Sequence, residues 1–201
     1  MRSPGARAAL LALGLGALVG CAGSRSETPG PVAPGSSGGP LIQQVEPWTF
    51  RDADGVIITT RNYRLFTTAA RSPVMRRLPE FLEAALLQYR SMGGVAAGEL
   101  RLPAPSLRLD TFMMATRSEW EDLTVRLMGE RAPIYLRIDR GGFAAGGRGV
   151  FYTAGAGDDR TTLAIAAHEG WHQYAQRVMR DPLPVWLDEA IAVYCEGYRE
   201  D

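Results

Sequence analysis

Two helical segments separated by a proline-containing break constrain the fold of this 201-residue chain more than any other feature. The first segment, "TTLAIAAHEGWHQYAQRVM" from Thr161 to Met179, carries apolar residues at helical spacing. Pro182 and Pro184 forbid its continuation, and "WLDEAIAVYCEGYRE" then starts a second helix. We expect Trp171 and Trp186 to pack between the two helices. Caps for the first helix are available in Asp159, Thr161 and Thr162.

Segments that favour strands and helices alternate through the preceding part of the chain. "WTF" and "VIITT" flank the turn signal "DADG" and predict a hairpin, and "NYRLFTTA" and "SLRLDTFMMA" predict two further strands. The segment from Leu78 to Met92 has one apolar helical face. "RSEWEDLTVRLMG" predicts another helix, which opens with a capping box of Ser118 and Glu121 and closes at Gly129.

The region before the histidine-bearing helix is predicted to contain two more strands. "PIYLRID" and "RGVFYT" have strand character, and the glycine-rich "GGFAAGG" between them is predicted to be a mobile loop. The whole pattern indicates an α+β fold with a small mixed or antiparallel sheet.

The first 46 residues differ in composition from the rest. Residues 1–20 combine positive charge with an apolar run too short to span a bilayer, which predicts a secretory signal peptide. "LVGC" resembles a bacterial lipobox and makes Cys21 the expected site of lipidation; an ordinary signal peptide in which Cys21 is incidental is the alternative. Residues 21–46, rich in Gly, Pro and Ser, predict a flexible tether. We therefore expect an exported protein, lipid-anchored to the bacterial cell envelope, with one domain over 47–201.

Charge and cysteine content narrow the classes of function. Twenty-two arginines and no lysine balance 22 acidic residues, so nothing indicates a nucleic-acid partner. If Cys21 carries lipid, Cys195 has no intramolecular partner and no disulfide stabilises the fold. A disulfide between Cys21 and Cys195 is the competing interpretation.

The only two histidines of the chain lie four residues apart, in "HEGWH". On a helix, His168 and His172 lie on one face, roughly 5–6 Å apart at Cβ, and can bind one tetrahedral metal ion. Glu169 lies about 100° round the helix and can reach a water on that metal without being a ligand. This is the arrangement of His-Glu-x-x-His zinc proteases, in which the glutamate is the general base. A histidine pair satisfied by hydrogen bonds in the core is the alternative.

A zinc site also requires a third protein ligand. Because no third histidine exists, the ligand must be a carboxylate or a cysteine, and Glu189 on the predicted second helix is available. Asp188 is the alternative ligand, or else it accepts a hydrogen bond from a ligand or carries a first-turn charge. Cys195 lies about 240° round the helix from Glu189, which favours a packed core thiol.

"HEGWH" followed by "LPVWLDEAIAVYCEG" resembles the gluzincin branch of the zincin metallopeptidases, especially bacterial envelope members with a "W-L-x-E-G-x-A-x-Y" second motif. The resemblance covers residues 166–197. It implies a zincin-like domain in which the active-site helix precedes a ligand-bearing helix, with Zn²⁺ held by His168, His172 and Glu189. It also implies hydrolysis of peptide bonds in a peptide or protein substrate.

The resemblance further implies a residue that stabilises the oxyanion. Members of the group carry a Tyr, His or Arg for this role, often beyond the second helix, and this chain ends at Asp201. We assign the role to Tyr194, with Tyr174, Tyr152 or an arginine as alternatives. Otherwise the role is empty, or the domain is C-terminally incomplete.

In zincins, an edge strand beside the zinc helix pairs with extended substrate backbone. The resemblance therefore assigns substrate binding to Val150, Phe151 and Tyr152, in the strand directly before that helix; a purely structural strand is the alternative. The glycine-rich segment before it is then a lip of the cleft or an ordinary loop.

Two functions of different classes follow. The residues and the resemblance favour a membrane-tethered zinc-dependent peptidase in which Glu169 takes a proton from water and later protonates the leaving amine. The alternative is a catalytically inactive binding or scaffold lipoprotein with the same fold.

Overall fold

The computed structural model describes residues 41–92, 101–139, 141–153 and 158–197. The predicted signal peptide, Cys21 and the predicted tether as far as residue 40 lie outside these ranges. Among the described helices, none combines the length and the apolar character needed to cross a membrane.

A six-stranded mixed sheet forms the centre of the fold, in the order β1-β2-β3-β4-β6-β5. The first three strands and the β5–β6 pair are antiparallel, whereas β3–β4 and β4–β6 are parallel. The strands are β1 (Gln44–Phe50), β2 (Ala53–Thr59), β3 (Tyr63–Thr67), β4 (Leu109–Met114), β5 (Gly142–Ala145) and β6 (Arg148–Tyr152). The predicted α+β class is confirmed. Because β1 begins at Gln44, the last three residues of the predicted tether, 44–46, belong to the sheet.

Helices cover both faces of this sheet. They are α1 (Leu78–Ser91), α2 (Arg117–Met128), the short α3 (Ala132–Tyr135), α4 (Asp159–Val178) and α5 (Val185–Glu196). The larger core lies between the sheet, α1 and α4, and includes Leu65, Leu82, Met113, Phe151 and Trp171. A second, smaller core lies under α2 and is built around Trp120, Phe143 and Val150. The long helix with the two histidines is thus held against the sheet by a continuous apolar core.

The first hairpin is confirmed, but its turn differs from the prediction. The pair Phe50–Ala53 closes the hairpin, so the turn lies at Arg51 and Asp52, with Arg51 at a φ of 53°. The Asp-Gly signal lies inside β2. A side chain at Gly55 would collide with the Thr67 carbonyl oxygen of β3, so this glycine serves close strand packing and not a turn.

The predicted cap of α2 is wrong by two residues. Thr116, and not Ser118, caps the helix: its Oγ1 accepts a hydrogen bond from the Glu119 N–H at 3.2 Å. The Glu119 carboxylate accepts hydrogen bonds from the Thr68 hydroxyl and the Ala115 N–H. The bond from Thr68 joins α2 to the loop after β3. Gly129 ends α2 at a positive φ of 54°, as predicted.

Two predictions before the histidine-bearing helix are also wrong. The "PIYLRID" segment forms α3 and a turn, since Pro133 has the fixed φ that suits a helix start. The "GGFAAGG" segment is not a loop: it contains β5 and a two-residue turn at Gly146 and Gly147, with φ of 58° and 70°. Two successive positive φ values match the twist of a tight hairpin, which explains the glycine pair.

Candidate metal centre

Polar contacts fix α4 against the sheet and α1. Asp158 caps the helix, its Oδ1 accepting from the Thr161 N–H at 3.1 Å, in place of the three caps predicted. The buried Gln173 side chain donates to the Asp110 carbonyl at 2.7 Å and accepts from the Thr111 hydroxyl at 3.0 Å. These bonds to β4 set the rotation of α4 and hence the direction of its imidazoles.

The two imidazoles face each other as their spacing predicts. His168 Nε2 and His172 Nε2 lie 3.3 Å apart, and both side chains are partly buried. A separation this short brings two potential ligand atoms to one point without any change in the backbone.

Helix α5 brings a carboxylate to the same point. Glu189 Oε2 lies 3.6 Å from His168 Nε2, and Glu189 Oε1 lies 3.6 Å from His172 Nε2. One donor atom from each of the three residues falls within 4.8 Å of the other two, so His168, His172 and Glu189 form a group that could hold a metal ion. The helix packs on α4 through Ala192 and Cys195, both fully buried, which leaves Glu189 half-exposed at the rim.

Two further carboxylates determine which ring nitrogens face the metal group. Glu196 Oε1 lies 2.7 Å from His168 Nδ1, and Asp188 Oδ2 lies 2.9 Å from His172 Nδ1. Since an ionised carboxylate only accepts, each Nδ1 carries the proton and each Nε2 presents a lone pair. Asp188 is itself held by Trp171, whose Nε1 donates to Oδ1 at 2.8 Å. Asp188 is therefore a supporting acceptor, one of the roles predicted for it.

Sequence reasoning did not identify Glu196. The available signal was its position seven residues after Glu189, two helical turns along the same face of α5. A pair of carboxylates at this spacing can contact two successive turns of a neighbouring helix, which is what Glu189 and Glu196 do.

Glu169 lies beside the metal group in a nearly dry environment. Only 8% of the residue is exposed, and burial, reinforced by the carboxylates of Glu189 and Glu196, raises the pKa of Glu169 to about 8. The absence of a side chain at Gly142 makes room for it, since a Cβ there would lie 3.1 Å from Glu169 Cγ. A carboxyl group with a pKa near neutrality can both take and return a proton.

A cleft of about 740 Å³ opens beside His168, Glu169 and Glu196, and His172 and Glu189 are not among its lining residues. Its floor is the N-terminal half of α4, one wall is the segment that leads into β5, and the other wall is the C-terminal end of α5. The lining includes Ile138, Gly142, Arg160, His168, Glu169 and Val193. A space of this size accommodates a short stretch of extended polypeptide.

The structure does not bring the predicted oxyanion residue to the metal group. Tyr194 is 65% exposed and lies about 140° round α5 from Glu189. Of the alternatives, the buried Tyr174 donates to the Pro103 carbonyl, and Tyr152 donates to the Asp139 carbonyl. None of these tyrosines lines the cleft.

The predicted substrate strand also needs correction. Val150, Phe151 and Tyr152 lie in β6, which is hydrogen-bonded on both sides, to β4 and to β5. Val150 and Phe151 are buried in the two cores. The edge strands of the sheet are β1 and β5, and β5, which was predicted to be a loop, is the one beside β6.

Two packing predictions on α5 had different outcomes. Cys195 is fully buried with a thiol pKa raised by burial to about 12, which confirms a packed core residue that faces away from the metal group. Trp186 is 73% exposed, so the prediction that it packs between the helices is wrong; Trp171 alone does so.

Comparison with known proteins leaves the resemblance to gluzincins as an expectation from sequence. Any functional proposal therefore depends on where the fold places the residues of the "HEGWH" motif and Glu189. Neither the models of protein families, nor the curated proteins, nor the solved structures include a match to this chain.

Proposed function

We propose that this protein is a zinc-dependent peptidase. The observation that carries the proposal is the convergence of two imidazole Nε2 atoms and one carboxylate on a single point, with the buried Glu169 directly beside it. Three ligands with a neighbouring carboxyl group form the donor set of catalytic zinc sites, which leave a fourth position open.

The donor geometry fits zinc. Two ligands of a tetrahedral zinc ion lie about 3.3 Å apart when each is about 2.0–2.1 Å from the metal. The two Nε2 atoms are 3.3 Å apart, and each lies 3.6 Å from a Glu189 oxygen. A zinc ion there would lower the pKa of a bound water and polarise the substrate carbonyl.

The side chains of this chain supply the remaining chemistry. Glu169 accepts the proton of the attacking water and later donates it to the leaving amine, a general base and then general acid role for which it lies beside His168 in the cleft. Asp188 and Glu196 hold the two rings in one tautomer throughout. The outer edge of β5, where Gln176 already binds the Ala144 carbonyl, lies along the extended backbone of the substrate and so aligns the bond to be cleaved.

The N-terminal sequence adds a proposed location. The signal-like residues 1–20 and the lipobox-like "LVGC" support export and a lipid anchor at Cys21. The peptidase would then act on peptides or proteins at the bacterial cell envelope, at a distance from the membrane that the tether sequence before β1, residues 21–43, permits.

Zinc content and turnover test this proposal together. We expect one zinc ion per chain by elemental analysis, lost in His168→Ala and in Glu189→Ala. Glu169→Gln should keep the zinc, because Glu169 is not a ligand, yet lower peptide hydrolysis about 10²–10⁴-fold. Hydrolysis at the original rate in Glu169→Gln would contradict the mechanism.

The position of the tyrosines favours one second candidate function. Since none of the three tyrosine candidates for oxyanion stabilisation lines the cleft, a zinc-binding or scaffold module without turnover is the alternative. Stoichiometric zinc together with no cleavage of a complex peptide mixture would support it.

A further inference from the structure

Arg160 lines the cleft that reaches the metal group at His168. It is exposed on the first turn of α4 and lines the cleft together with His168 and Glu169. A minority of the described arginines pair with carboxylates, as Arg64 does with Asp110 and Arg117 with Glu121. Among the residues that the structure describes, the Arg160 guanidinium has no such partner.

The distance from Arg160 to the metal group is set by one continuous helix. Arg160 precedes His168 by eight residues, which places it about 12 Å away along the α4 axis. An extended polypeptide advances about 3.3 Å per residue, so three or four residues span that distance. The guanidinium can therefore contact a peptide in the cleft at a defined number of residues from the metal.

The charges around the cleft are unequally distributed. Near the metal group the lining carries the carboxylates of Glu169 and Glu196, whereas Arg160 is the only arginine among the described residues that line the cleft. Asp158 and Asp159 precede it directly, but Asp158 caps the helix through the Thr161 N–H and neither carboxylate pairs with the guanidinium. The far end of the cleft thus presents a cation that no carboxylate of the described residues pairs with.

We propose that Arg160 determines substrate specificity by binding a carboxylate three or four residues from the bond that is cleaved. The substrate class is then acidic peptides, in which this group is an Asp or Glu side chain or a chain terminus. The inference rests on the proposed peptidase function, since the metal defines the position of the bond.

Peptide hydroxamates provide a test that does not depend on turnover. The hydroxamate binds zinc and fixes the register, and a single Glu is moved from the first to the fifth residue away from it, with a matched Gln peptide at each position. Two series extend from the hydroxamate in opposite chain directions. In one series, we expect zinc-loaded protein to bind the Glu peptide about five- to tenfold more tightly than the Gln peptide at the third or fourth residue, by fluorescence anisotropy.

Substitutions then assign the preference to Arg160. Arg160→Gln should bring the Glu-to-Gln affinity ratio to about one, and Arg160→Glu should reverse it. Arg126→Gln, on the exposed side of α2 and outside the cleft, is the matched control and should leave the ratio unchanged. Tight binding with no preference at any position, or a preference that survives Arg160→Gln, overturns the role of Arg160 alone. Failure of every hydroxamate to bind overturns the proposed function.

Discussion

At the scale of single residues, the chemistry of the site depends on which nitrogen of each histidine is free. Both Nδ1 atoms are occupied by carboxylates, so both Nε2 atoms are left as donors to a metal. The carboxylates also hold both rings in one orientation. Asp188 and Glu196 therefore matter to metal affinity although neither is itself a ligand.

Removal of the Glu196 carboxylate should weaken metal binding. We expect Glu196→Ala to lower zinc affinity about 10–100-fold, because the His168 ring loses both its orientation and its hydrogen-bond acceptor. Competition with a chromophoric zinc chelator measures this. Glu130→Ala, an exposed carboxylate in the turn after α2, is the control. Equal affinities in the two variants would show that Glu196 does not position the ring.

Sequence reasoning identified the ligands because their signal is local. His168 and His172 are a fixed four residues apart, and helix geometry alone brings them together. Glu196 was missed because its contact with His168 depends on how α5 packs against α4. The periodicity of the sequence does not give the angle between the two helices. The exposed position of Tyr194 depends on the same packing, since it follows from the burial of Ala192 and Cys195.

At the scale of elements, the contact between α1 and α4 is close because Gly170 has no side chain. Tyr89 of α1 crosses α4 at this point, and its hydroxyl donates to the Ala167 carbonyl at 2.8 Å. A Cβ at Gly170 would lie 2.6 Å from the Tyr89 hydroxyl oxygen. The glycine inside the histidine motif thus serves helix packing.

Gly170→Ala should destabilise the protein, although alanine is the better helix former. The intrinsic gain is about 1 kcal/mol, whereas overpacking against Tyr89 costs about 1–3 kcal/mol. We expect a net loss in the free energy of unfolding, measured in urea. In a double-mutant cycle, Tyr89→Phe should relieve part of this loss, because the hydroxyl is the closest atom. A stabilised Gly170→Ala variant would mean that α1 shifts freely.

Strands were harder to predict than helices near the site. The glycines that led to a loop prediction for β5 perform two separate tasks: Gly142 makes room for Glu169, and Gly146 with Gly147 forms the tight turn. Both tasks depend on residues that are neighbours only in the fold. From composition alone, glycines that perform such tasks look the same as glycines of a flexible loop. β6 was predicted as a strand, but its place inside the sheet depends on the pairing with β5.

At the scale of the whole molecule, the three residues of the metal group come from two helices that are separated by a proline-containing turn. His168 and His172 lie on α4, which is anchored in the main core, and Glu189 lies on α5, which is buried along one side only. A metal ion bound to all three would therefore attach α5 to the rest of the fold.

Zinc should raise the thermal stability of the protein. At a free concentration about 1,000 times its Kd, a ligand that binds only the folded state raises the free energy of unfolding by about 4 kcal/mol. For a domain of this size, this corresponds to a rise in Tm of roughly 10 °C. Calorimetry with and without a chelator measures the shift. The shift should disappear in Glu189→Ala. A Tm that is the same with and without zinc in the unaltered protein would contradict metal binding to the folded state.

The hairpin of β5 and β6 is fastened to the same helix that carries the imidazoles. Gln176 of α4 donates to the Ala144 carbonyl and accepts from the Gly147 N–H, and Arg177 donates to the Gly147 carbonyl. Thermal motion of α4 therefore displaces strand and donor atoms as one body. A peptide laid along β5 would stay aligned with the metal group while the protein fluctuates, and the conformational entropy lost on association would come mainly from the peptide.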